Sequence, residues 1–166
     1  RTVLDHPSLN NHPNALVFVM PNWGTGAGGV NNTSMFRVEY SGGRWYIANQ
    51  SEATGMSWSQ MFNVLIAPEF CPHAFVHTVE TTNRYLNRTY LDHPAVNGKP
   101  AARLLVTPAS GVASQKVAAT GYDAARGRWY LCNLTDKPEQ ANEEAASMQT
   151  GTRFHILTIE DETTYN

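Results

Sequence analysis

Arg88 to Pro108, RTYLDHPAVNGKPAARLLVTP, restates Arg1 to Pro21, RTVLDHPSLNNHPNALVFVMP, with Arg, Thr, Leu, Asp, His, Pro, Asn, Pro, Ala, Val and Pro at matching places. Two further blocks follow in the same order. Gly43-Arg44-Trp45-Tyr46-Ile47 with Asn49 answers Gly127-Arg128-Trp129-Tyr130-Leu131 with Asn133, and Phe62-Asn63-Val64-Leu65 answers Phe154-His155-Ile156-Leu157. The chain is therefore a duplication of a unit of roughly eighty to ninety residues, and such self-similarity sets the architecture before any local reading does.

Working outward from the repeat, strands dominate. Ala15 to Met20 is a short apolar run closed by Pro21, which reads as a strand buried on both faces. Its partner, Ala102 to Val106, carries Arg103 and so has one open face. Phe36-Arg37-Val38-Glu39-Tyr40 alternates apolar and charged residues, Ser41-Gly42-Gly43 supplies a turn, and Arg44 to Asn49 completes a hairpin. The second copy repeats it as Val117 to Tyr122 and Arg128 to Asn133. Phe62 to Ala67 and Phe154 to Ile159 close the copies. One short exposed helix is predicted over Lys137 to Ser147, with Pro138 in its first turn.

The fold class predicted is all-β: two tandem pseudo-symmetric repeats, 1–70 and 71–166, each a small sandwich or barrel-like unit packed on the other. The boundary falls at Pro68 to Pro72, where APEFCP would interrupt a sheet ladder. Copy two has an upstream strand, Ala74 to Thr78, for which copy one shows no counterpart before Arg1. That first strand either lies outside the sequence or comes from another chain.

Charge excludes some partners. Residues 1–70 hold three Lys or Arg against four Asp or Glu, and residues 71–166 hold nine against ten. No basic field exists to draw nucleic acid, and no apolar run is long enough for membrane insertion. Asn, Thr, Ser and Gly fill the polar positions, which suits a secreted, extracellular β-protein. Arg1 without an initiator Met or apolar leader reads as the start of a processed mature protein or of a trimmed piece of a longer one. In that compartment Cys71 and Cys132 could form one disulfide clamping the junction onto copy two; the alternative is two free thiols.

Motifs for catalysis are thin. Gly24 to Gly29 satisfies G-x-G-x-x-G, but Val30-Asn31-Asn32-Thr33 follows where a dinucleotide site needs a helix, so no cofactor is expected. Asp5-His6-Pro7 and Asp92-His93-Pro94 read as Asx turns in preference to metal ligands, because neighbours on extended chain diverge. His12, His73 and His77 have no zinc spacing, and no metal site is expected. No nucleophile signature is present, and a pair of glycosidase carboxylates has no support in the spacing. The chain is expected not to be an enzyme.

Aromatics give the functional lead. Trp45 and Trp129 recur and belong to the core, whereas Trp23 and Trp58 occur only in copy one, in polar loops. With Asn22, Asn31, Asn32, Asn49 and Gln50 they would form an amide-and-indole surface for neutral, hydroxyl-rich ligands.

Phe75-Val76-His77-Thr78, Leu91-Asp92-His93-Pro94, Asn97-Gly98-Lys99-Pro100, Gly121-Tyr122-Asp123 and Gly127-Arg128-Trp129 together resemble an uncharacterised repeat of secreted bacterial proteins, a domain of unknown function. The resemblance implies an extracellular β-module used in tandem and carries over no catalytic residue. Copy two departs from it at His155, where the repeat has Asn, and at Ala109-Ser110-Gly111, where copy one has Asn22-Trp23-Gly24. The leading expectation is a non-enzymatic binding or adhesion module for a glycan or a cell-surface or matrix component. Second stands a self-assembling structural subunit, a homo-oligomer or fibre built on an open sheet edge. A glycan-active hydrolase stands third, to be recognised by two carboxylates, or a His and a carboxylate, meeting in one cleft.

Overall fold

A computed structural model describes residues 1–23, 34–51, 54–57, 59–111, 118–134 and 148–159. The described residues form strands and turns only, without a helix or a closed barrel. Copy one contributes β1 (Thr2–Leu4), β2 (Leu16–Asn22), β3 (Phe36–Ser41), β4 (Arg44–Asn49) and β5 (Met61–Ala67). Copy two contributes β6 (Ala74–Thr78), β7 (Arg84–Tyr85), β8 (Arg88–Tyr90), β9 (Arg103–Ala109), β10 (Ala118–Asp123), β11 (Arg128–Asn133) and β12 (Arg153–Ile159). The helix predicted over Lys137 to Ser147 lies outside the described residues.

Each copy is two layers face to face. In copy one, β1-β4-β3 packs against β2-β5. Val17 and Val19 meet Val38, Trp45 and Ile47 between them, with Phe62 and Ile66 completing the layer. In copy two, β9-β12-β6 packs against β10-β11-β8-β7, and Phe154, Ile156, Leu131 and Leu91 form the core. The hairpins coincide in detail: Tyr40 opposes Trp45 as Tyr122 opposes Trp129, and both ring pairs meet edge-on with centroids 5.5 Å apart. Trp45 Nε1 donates to His12 O and Trp129 Nε1 to Lys99 O, each at 2.8 Å, which ties the hairpin to the turn before β2 or β9. Gly42 and Gly43 have φ of 57° and 81°, the left-handed pair that a two-residue hairpin turn requires.

The copies do not stop at the boundary between 1–70 and 71–166. β3 pairs in parallel with β9 at Val38 and Ala109, which makes a six-stranded sheet, β1-β4-β3-β9-β12-β6, from both halves of the chain. β2 joins no such ladder on its free side. There Val19 N–H donates to Thr107 Oγ1 at 3.1 Å and Val17 N–H donates to His155 Nδ1 at 3.0 Å. Thr107 and His155 are cross-strand partners on β9 and β12, so two buried side chains satisfy the backbone groups that a strand would otherwise pair. Around them Leu16 and Phe18 pack on Leu105, Leu157 and Ala74.

Candidate functional site

The site is best approached from copy two, where its counterpart is filled. β6 and β7 close the side of that copy, β6 on β12 in one layer and β7 on β8 in the other. Phe75 of β6 lies opposite Ile156 and stacks on the His93 ring at 4.0 Å, nearly parallel. His77 lies opposite Phe154, is buried, and its Nε2 is 2.8 Å from Thr89 Oγ1 on the facing layer. The Thr89 hydroxyl donates its proton to Asn83 Oδ1 at 2.9 Å, so His77 Nε2 must be the donor in its own bond. Burial pushes the His77 pKa down to about 4, which keeps the ring neutral.

Among the described residues, copy one has none of this. β1 and β5 are both the last strands of their sheets, on the side that β7 and β6 close in copy two. Because Val17 and Val19 turn their N–H groups away from β5, antiparallel alternation bonds Asn63, Leu65 and Ala67 to β2. The N–H and C=O groups of Phe62, Val64 and Ile66 therefore face the open edge. Side chains report the same gap: Val64 is 38% exposed where its counterpart Ile156 is fully buried, and Thr2 is exposed where Thr89 is buried.

Next to that edge lies a cleft of about 740 Å³, lined by His6, Pro7, His12, Ala15, Ile66 and Glu69. His6 is the counterpart of His93, so the ring that Phe75 covers in copy two borders open space in copy one. Its Nδ1 accepts the Ser8 N–H at 3.2 Å, as His93 Nδ1 accepts the Ala95 N–H at 3.2 Å, and the ring is fixed by the turn. Met61 and Leu65 of β5 are exposed, and so is Phe70 in the turn after it, at 91%. Two imidazoles and a carboxylate thus share one cleft, yet Glu69 accepts from Asn14 Nδ2 at 2.9 Å and not from an imidazole.

The Asp-His-Pro segments are turns. Asp5 accepts from Asn10 at 2.8 Å and pairs with Arg44; Asp92 accepts from Asn97 at 2.9 Å and pairs with Arg128. The side-chain bonds from Asn10 and Arg44, and from Asn97 and Arg128, hold both carboxyls below their ordinary range. Among the described residues, no three His, Cys, Asp or Glu are grouped to hold a metal.

Of the residues expected to bind a ligand, Trp23 is 62% exposed at the end of β2, beside Asn22, whose Nδ2 donates to Asn63 Oδ1 at 2.9 Å. Asn31, Asn32, Trp58 and the Gly24 to Gly29 loop lie outside the described residues. Asn49 and Gln50 are not on the surface. Both are buried, because their amides serve local carbonyls: Asn49 Nδ2 donates to Thr54 O at 3.0 Å and Gln50 Nε2 to Phe36 O at 3.4 Å. Cys71 and Cys132 are free thiols, not a disulfide. Cys71 packs beside Leu16 and Phe18, while Cys132 sits in β11 opposite Ala119 and Arg88. The open edge was foreshadowed by the missing counterpart of Phe75-Val76-His77-Thr78. The cleft was not, because nothing local marks His6 as one wall of an aromatic socket.

No curated protein and no solved structure matches the chain. A family model described as a domain of unknown function (DUF7452) matches it twice, over residues 1–66 and over residues 46–158. The first match ends within β5 and the second within β12, and only the second takes in β6.

Proposed function

The chain belongs to this family of unknown function, and we propose that it is a non-enzymatic extracellular building module, joined into arrays by a β-strand that another molecule of the family lays along β5. The observation that carries the reading is the contrast between Val64 and Ile156, one residue of the repeat buried behind a strand and exposed without it. An open edge flanked by apolar side chains is a ready template for strand addition, where backbone bonds give affinity and pockets give selection. The sparse charge and the abundance of amide and hydroxyl residues support an extracellular setting.

The test is to titrate a peptide of residues 73–83, HAFVHTVETTN, into the chain and follow amide exchange. Protection should appear at Phe62, Val64 and Ile66, and Val64→Lys should abolish it. A chain whose β5 amides exchange at the same rate with excess peptide would sink the proposal.

A second reading keeps the indole of Trp23 as a platform for a neutral glycan, favoured by its exposure beside Asn22. Trp23→Ala should then reduce retention on a glycan array with an unchanged unfolding midpoint. An array with no signal above background removes this reading.

A further inference from the structure

Resting on strand addition at β5, we infer that the cleft beside it is a selective socket: the incoming strand must carry an aromatic residue seated over the His6 ring and, two residues on, a histidine that reaches Thr2. The occupant is a free strand of the β6 type, with the pattern Phe-x-His.

The template is the filled copy. Phe75 opposes Ile156 and stacks on His93, while His77 opposes Phe154 and donates to Thr89. Transferred through the repeat, those four partners become Val64, His6, Phe62 and Thr2. All four are in copy one, and His6 forms part of the wall of a cleft large enough for a phenyl ring. Ile66 and Ala67, also in that wall, are the counterparts of Thr158 and Ile159 at the end of β12 that receives the segment leading into β6: the N–H and the hydroxyl of Thr158 both donate to His73 O. The cleft thus lies where the first half of the added strand would run. The intervening residue, Val76 in β6, is 38% exposed and points out of the sandwich, so selection should fall on alternate positions.

Stacking of the phenyl ring on the His6 imidazole and burial in the cleft should make the aromatic dominant. Titration calorimetry with peptides 73–83 should show Phe75→Ala weakening binding by at least about tenfold, His77→Ala by several-fold, and Val76→Ala little. Seating is read by a double-mutant cycle. His6→Ala in the chain should weaken the unmodified peptide but not the Phe75→Ala peptide, and His93→Ala should leave both unaffected. Thr2→Val should couple in the same way to His77. His6 is an exposed turn residue, and the peptide variants carry no folding risk in any case. Peptides that all bind equally, or cycles that show no coupling, overturn the socket while leaving strand addition intact. No binding by any peptide overturns both.

Discussion

His155 is buried where the two copies meet, in edge-to-face contact with Trp45 and Phe18 at centroid separations of 5.5 and 6.2 Å. Its Nδ1 accepts the Val17 N–H, which requires that nitrogen unprotonated; a proton there would turn the bond toward Val17 O, 3.1 Å away, and leave the N–H unpaired. Burial pushes its pKa down to about 4, with Arg153 adding repulsion, and His77 reaches about the same value by burial alone. Both folded values lie below the ordinary 6.5, so the unfolded chain binds more protons between the two. Stability from these rings is complete above about pH 6.5 and is lost as the pH falls toward 4, on the order of 2 to 3 kcal/mol for each. The urea midpoint should therefore drop between pH 7 and pH 4.5. A His77→Gln, His155→Gln double variant should flatten that slope, and an unchanged slope would mean that other groups set it.

At the scale of the element, the same strand exists in two states within one molecule. Among the described residues, β12 lies between β9 and β6, whereas β5 has β2 on one side alone. Ile156→Ala should cost about 2 to 5 kcal/mol, because it empties a closed core. Val64→Ala should cost less than about 1 kcal/mol, since its site is already open to water; guanidinium unfolding of the two variants measures the difference. The hairpins were legible in the sequence, because alternation and paired glycines write their signal within a few residues; the Asp-His-Pro turns were legible as turns, but the imidazole Nδ1 and not the carboxylate takes the local backbone N–H there. The missing strand was legible too, but only by setting Ala74 to Thr78 against the start of copy one. Asn49 and Gln50 misled, since whether an amide faces water or a carbonyl depends on how the following loop folds back.

Across the whole molecule, the sheet that runs from β1 to β6 unites the copies, and the contact between Val17, Val19 and the Thr107–His155 pair binds them a second time. None of this was legible beforehand. A parallel bridge at Val38 and Ala109 and two side chains bonded to a distant backbone leave no periodic trace. Unfolding should be a single transition by circular dichroism and by Trp fluorescence alike. A fragment ending at residue 70 should not fold on its own, because it strands the Val17 and Val19 N–H groups and exposes Leu16 and Phe18. A separately folded fragment, or two resolved transitions, would show the copies to be independent.

The Thr107–His155 pair also breaks the symmetry of the duplication. Its counterparts in copy one are Met20 and Asn63, both exposed; a thioether is a weak acceptor, and Asn63 Oδ1 already accepts from Asn22 Nδ2. Among the described residues, copy two takes up the edge of β2 through this pair, while in copy one β5 has β2 as its one strand neighbour. The pair of repeats therefore has a front and a back, and any array assembled from it inherits a polarity, with two chemically different ends.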